Sequence, residues 1–252
     1  MEEHITGRTN PLLTHLRKLA ASGDYRRQSG EFLCDSPKLL QEALLWGAPL
    51  CTVVADEDAG LPTLPGGVRC VRLPRELMAS VSPMKTPQGV LFTCRYTPAP
   101  LPEILTGRHY VVLDGVQDPG NVGTVIRTAD AFDADGVLLL PGCADPYSPK
   151  TLRSSMGALF RRPVWCCTAQ EAAALLRRSQ IPLYGAALRQ DTKDARHVDY
   201  THAAVAIGSE GRGLCAEVLA LCDCTVRIPM SERCESLNAA VAASVLLWEM
   251  YR

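Results

Sequence analysis

The run Tyr110-Val111-Val112-Leu113-Asp114-Gly115-Val116-Gln117-Asp118-Pro119-Gly120-Asn121-Val122-Gly123 turns an apolar strand into a loop, and the loop into a helix. Tyr110 to Leu113 is apolar without alternation, the pattern of a strand covered on both faces. The helical stretch that follows, about Asn121 to Phe132, carries Arg127. A strand feeding a helix in this way is the unit from which parallel sheets are built.

Working outward, the same unit repeats. Gly136 to Leu140, Val164 to Cys167, Pro182 to Ala187, Ala203 to Ile207 and Cys224 to Ile228 read as further buried strands. Ala169 to Arg178 and Leu214 to Leu221 read as helices between them, and Leu237 to Tyr251 as a long apolar closing helix. The expected fold class is therefore α/β, a mainly parallel sheet with helices on both faces.

Upstream, Thr97-Pro98-Ala99-Pro100-Leu101-Pro102 carries three prolines in six residues and reads as a stiff break in the chain. It divides the sequence into a small N-terminal α/β domain (1–97), a linker (98–103) and a larger C-terminal domain (104–252). In the small domain, Leu12, Leu13, Leu16 and Leu19 share one helix face. Ser36-Pro37 starts a second helix as N-cap and first turn, and Gly47 stops it. Leu50 to Ala55 and Gly89 to Cys94 read as strands, and Pro74 to Val81 as a short helix.

Composition sets the class. The 252 residues are 47% hydrophobic and 21% charged, with a net charge of −1, as in ordinary globular proteins. No apolar run approaches the roughly 20 residues of a membrane helix. Met1-Glu2-Glu3-His4 does not open a signal peptide, so a cytoplasmic protein is expected. The eleven cysteines are scattered without tetrahedral metal spacing, and read as reduced thiols acting as small hydrophobes; no metal is expected. Between Tyr147 and Gln170 lie Lys150, Arg153, Arg161 and Arg162 with no acid, and the N-terminal stretch adds Arg8, Arg17, Lys18, Arg26 and Arg27. Such clusters read either as phosphate contacts or as solvated helix faces.

In open parallel sheets ligands bind beyond the carboxyl ends of the strands. Three loops in such positions are loaded with Gly, Asn, Ser and charge. They are Leu113 to Gly123, then Ile207-Gly208-Ser209-Glu210-Gly211-Arg212-Gly213, then Ile228 to Asn238. Each by itself has a plain structural reading: Gly120 and Gly123 as turn formers, Glu210 as a solvated carboxylate, Ser236 as the cap of the last helix, Asn238 as an exposed first-turn residue. Neither GxGxxG nor GxxxxGK[ST] is present, which speaks against a dinucleotide or P-loop enzyme.

Taken in order, the three loops resemble the three motifs of the SpoU (TrmH) family of RNA 2′-O-methyltransferases, of the SPOUT superfamily. The residues that carry the resemblance are Asn121-x-Gly123-x-x-x-Arg127-Thr128-Ala129, Gly208-Ser209-Glu210-Gly211-x-Gly213, and Ile228-Pro229-Met230 followed by Ser236-Leu237-Asn238. Asn10-Pro11-Leu12, Tyr25-Arg26, Phe32-Leu33 and Thr86-Pro87-Gln88-Gly89 look like the small RNA-binding domain that many members carry. Asp35-Ser36 stands where members usually have Glu-Gly.

The resemblance implies a C-terminal trefoil knot, which periodicity could not show and which runs against the general rule on chain threading. It implies S-adenosylmethionine as cofactor, held by Gly208, Ile228 and Leu237 with Ala186, Gly211 and Met230 nearby. It assigns the central catalytic role to Arg127, with Asn121, Glu210, Ser236 and Asn238 completing the site. It implies RNA as partner, ribosomal RNA in preference to tRNA, and a homodimer formed through the knot and the last helix. A non-catalytic RNA-binding assembly factor is the reading from another class, and the intact Asn121, Arg127, Glu210, Ser236 and Asn238 argue against it.

Overall fold

The computed structural model describes every residue except Met1, Gln190, Asp191, Glu232, Cys234 and Glu235. The chain divides into two compact units, Met1–Thr97 with Tyr147–Phe160, and Pro98–Pro146 with Arg161–Arg252. The segment Tyr147–Phe160, placed by sequence reading in the C-terminal domain, thus packs with the first unit.

The first unit contains β1 (Glu2–His4), α1 (Pro11–Ala21), α2 (Gly23–Ser29), β2 (Glu31–Asp35), α3 (Pro37–Leu45), β3 (Leu50–Asp56), β4 (Arg69–Leu73), α4 (Arg75–Val81) and β5 (Val90–Arg95). Its mixed sheet has the order β1-β4-β3-β5-β2. Alternation along β2 divides the core. Leu33 joins Leu13, Leu16 and Leu19 on one face, while Phe32 and Cys34 join Leu39, Leu40 and Phe92 on the other. Ser36 caps α3 as expected, accepting from the Leu39 amide at 3.2 Å. Its φ of 108° is unusual for a residue with a side chain.

The second unit runs β6 (His109–Asp114), α5 (Pro119–Ala131) and β7 (Gly136–Leu139). The helix α6 (Pro149–Ser155) that comes next in the chain belongs to the first unit, where Leu152 joins the second of the two clusters. There follow β8 (Val164–Cys166), α7 (Ala169–Arg178), β9 (Leu183–Ala186), β10 (Lys193–Asp194), β11 (Ala203–Gly208), α8 (Ala216–Leu221), β12 (Cys224–Arg227) and α9 (Ala239–Tyr251). The sheet is parallel throughout, in the order β10-β12-β9-β11-β6-β7-β8. Tyr110 and Val112 of β6 pack with Leu175, Leu176 and Val218 of α7 and α8. On the other face α5 lies on β6 and β7, α9 lies on β11, and the two helices contact each other.

Between Arg95 and His109 there is neither helix nor strand. The proline-rich stretch is nevertheless anchored. Leu105 is buried in the second core, its amide donates to Ser179 Oγ at 2.8 Å, and Arg178 Nε donates to Glu103 O at 3.2 Å.

Candidate cofactor cleft and active site

Because β12, β9, β11 and β6 are parallel neighbours, their carboxyl ends lie along one edge of the sheet. The loops leaving the first three of these strands enclose a cleft of about 380 Å³. Its walls include Ala186 and Leu188 after β9, Gly208 and Glu210 after β11, Ile228 and Met230 after β12, and Ser236 and Leu237 before α9. The pairing of apolar walls with a few polar groups is the usual composition of a small-molecule site.

Gly208 is dictated by close approach. A Cβ there would stand 2.0 Å from the carbonyl carbon of Gly213 and 2.2 Å from its oxygen. The loop closes on itself through Ser209 N to Gly213 O at 3.1 Å and Gly213 N to Ser209 O at 2.9 Å, with Gly213 at φ +67°. Asp114, the last residue of β6, fixes the far side by accepting from the Cys215 amide at 2.7 Å.

Asp118 caps α5, accepting from the amides of Gly120 at 2.6 Å and Asn121 at 3.1 Å, with Pro119 in the first turn. The helix therefore starts two residues before the apolar pattern suggests, and Asn121 sits in its first turn. The Asn121 side-chain amide donates to Glu210 Oε1, and its Oδ1 accepts from Asn238 Nδ2 at 3.2 Å. Asn238 is itself the cap of α9, its Oδ1 accepting from the amides of Ala240 at 2.9 Å and Val241 at 3.3 Å. The cap role open to Ser236 thus falls to Asn238, and α9 begins at Ala239 rather than Leu237.

Of the eleven site residues read from the sequence, Ala186, Gly208, Glu210, Ile228, Met230, Ser236 and Leu237 line the cleft. Asn121 and Asn238 join it through their hydrogen bonds. Arg127 and Gly211 stand apart from the lining. Arg127 is exposed on α5 and makes no hydrogen bond or ion pair with a described residue. Gly211 lies in the exposed loop, with open space where a Cβ would be. Leu188, Leu214, Leu219 and Val226 also line the cleft and were missed. Leu188 had a signal: it is a leucine just past a buried strand, and it is 62% exposed.

The basic clusters are largely neutralised within the chain. Arg161 and Arg162 pair with Asp130, and Arg162 also with Asp133 at 2.5 Å. Arg153 pairs with Asp35 at 2.6 Å, Arg27 with Asp24 at 2.5 Å, and Arg26 is buried, donating to Leu19 O at 2.6 Å. No helix is long and apolar enough to cross a membrane.

A parallel sheet with an apolar cleft at its carboxyl edge, closed by polar loops, defines an α/β cofactor-binding protein. The chain belongs to the SpoU rRNA methylase family, whose model matches residues 108–248. The chain is 32% identical over 226 residues to the 23S rRNA (guanosine(2553)-2′-O)-methyltransferase of Bacillus subtilis, covering 89% of this chain and 90% of that one. It is also 32% identical to the 23S rRNA (uridine(2479)-2′-O)-methyltransferase of Streptomyces viridochromogenes, over 98% of this chain and 91% of the relative. The crystal structure of the AdoMet-bound rRNA methyltransferase of Sinorhizobium meliloti superposes with a TM-score of 0.89, at 28% identity, over 99% of this chain and 97% of that one.

Proposed function

We propose that this chain transfers a methyl group from S-adenosylmethionine to a ribose 2′-hydroxyl of ribosomal RNA in the cytoplasm. The observation that carries the reading is the hydrogen-bonded run Asn238–Asn121–Glu210, which ties all three polar loops together at one wall of the cleft.

The cleft fits the cofactor. Ile228, Met230 and Leu237 offer apolar walls for a purine, and the Gly208–Gly213 contact brings backbone within reach of its polar edge. When bound, S-adenosylmethionine supplies a methyl group on a positively charged sulfur, whose departure leaves a neutral thioether. The demand on the protein is therefore to align the ribose hydroxyl and to manage its proton. Alignment is worth up to roughly 7–11 kcal/mol and assisted proton removal about 10²–10⁴-fold.

Arg127 is unsuited to act as a base, since a guanidinium has no lone pair to offer while it keeps its proton. Its role is to clamp an RNA phosphate and stabilise the developing alkoxide. Glu210 is the chemically suitable acceptor of the proton: Oε1 is engaged by Asn121, and Oε2 has no partner among the described residues. Arg127→Ala is expected to abolish turnover while leaving S-adenosylhomocysteine binding intact.

The first unit is read as the RNA-binding domain. In the second, β12 lies between β9 and β10, both of which precede it in the chain, and this supports a threaded C-terminal knot. The exposed stripe Val241, Val245, Trp248 and Tyr251 on α9 supports a homodimer built on that helix.

The test is transfer of labelled methyl from S-adenosylmethionine to separated ribosomal RNA and tRNA, followed by alkaline hydrolysis. Alkali cuts RNA through a free 2′-hydroxyl, so the expected label sits in alkali-resistant dinucleotides from ribosomal RNA. Label in mononucleotides would mean base methylation and would sink the mechanism.

A further inference from the structure

The first unit holds a second, smaller cavity. Ser36, Lys38 and Leu39 at the start of α3, Met84 and Gln88 ahead of β5, and Arg153 and Met156 at the end of α6 enclose about 180 Å³. This is below the roughly 300–1,000 Å³ of a drug-sized ligand site, so its occupant is one small group. Leu39, Met84 and Met156 make the interior apolar, and the two thioethers are soft partners for an aromatic ring. Gln88 and Ser36 add donors and acceptors at the edge.

The charge around the cavity has one sign. No acid lines it. Lys38, and Lys85 next to Met84, are exposed and make no ion pair with a described residue, unlike most cations of the clusters described above. The nearest carboxylate, Asp35, is 2% exposed and engaged through Oδ2 by Arg153, while its Oδ1 is buried without a hydrogen-bond partner. Asp35 thus holds an unused acceptor next to two of the residues that form the cavity wall.

We infer that this cavity receives one unpaired nucleobase of the RNA substrate, with Met84 and Met156 against the ring, Gln88 at its edge and Lys38 on the adjoining phosphate. Sequence-specific RNA recognition targets splayed bases of this kind, while phosphate contacts set register. The inference deepens the RNA reading above and rests on it.

The experiment uses the full chain: methyl transfer to unmodified ribosomal RNA, and filter binding of the same RNA across salt concentrations, with Met84→Trp, Gln88→Ala and Lys38→Ala. Thermal melting selects the variants that remain folded. Met84→Trp and Gln88→Ala are expected to raise KM for RNA roughly tenfold, with kcat and S-adenosylhomocysteine affinity unchanged. Lys38→Ala is expected to flatten the dependence of log affinity on log salt by about 0.7. Folded variants with wild-type KM and RNA affinity overturn the pocket while leaving the methyl-transfer reading intact. If the wild type binds RNA and transfers no methyl, the activity reading falls and the variants' binding still decides the pocket. AMP binding that Met84→Trp abolishes, with RNA affinity unchanged in all three variants, overturns the proposal in favour of a free-nucleotide site.

Discussion

Asn121 and Asn238, 117 residues apart in the chain, are joined by a 3.2 Å hydrogen bond from the Asn238 amide to the Asn121 carbonyl oxygen. Each also belongs to a helix start, Asn121 in the first turn of α5 and Asn238 as the cap of α9. The two helix ends and the Glu210 loop are thereby held in one arrangement.

Replacing Asn121 tests that arrangement. Asn121→Ala removes both hydrogen bonds and is expected to lower kcat/KM by about 10²-fold, within the range for loss of a positioned polar group. Asn121→Asp sets a carboxylate against Glu210. Like charges in contact repel, so this variant is expected to lose at least as much kcat/KM as Asn121→Ala. Near-wild-type activity in either variant would show that turnover does not need this arrangement.

Gly208→Ala is a sharper probe of the cleft, because the new Cβ meets backbone that cannot swing away. Overpacking of this kind costs about 1–3 kcal/mol. The expected result is loss of S-adenosylhomocysteine binding by calorimetry, with a lowered melting temperature. By contrast Gly211→Ala, which meets open space, leaves binding near wild type.

The α9 stripe predicts an assembly-dependent enzyme. Trp248 is 51% exposed in the isolated chain and stacks edge-on against Phe132 at 5.5 Å. Val245→Glu places a charge in the middle of the stripe. It should convert a dimer to a monomer in sedimentation and reduce methyl transfer with it. A fully active monomeric wild type would refute the dimer.

The thiols predict a reactivity order. Burial pushes Cys143 up to about 11, and Cys167 and Cys222 up to about 12. At pH 8 a thiol with a pKa of 12 is ionised in only about one molecule in 10⁴, and the thiolate is the nucleophile. Iodoacetamide at pH 8 should therefore label exposed Cys166 well before these three, read by peptide mass spectrometry. Equal labelling of Cys167 in the folded protein would contradict its burial.

The second unit was largely legible because its strands, apart from the unread β10 of Lys193 and Asp194, are mostly apolar runs whose ends shifted by a residue or two. The three loops were legible for another reason: spacing of Asn, Gly, Glu and Ser, not apolar period, marks them. What escaped the sequence was short or polar. Pro149–Ser155 has a single buried leucine, Leu152, to mark a stripe, and β4 is only five residues long, with Arg69 and Arg72 breaking its apolar pattern. The link from Asn121 to Glu210 could not be read from the residues themselves; only the family resemblance put the two in one site. It depends on which strands become neighbours, and Glu210 alone looks like any loop carboxylate.

The order of β12 in the sheet bears on biosynthesis. The cleft's walls begin at Ala186 and end at Ala242, whereas the first unit has its last segment by Phe160. At translation speeds of about 5–20 residues per second, a nascent chain spends several seconds with its first unit fully synthesised and no place for the methyl donor. During that interval the proposed RNA-binding unit precedes the proposed methyl-donor site, so a chain truncated before α9 has the one without the other.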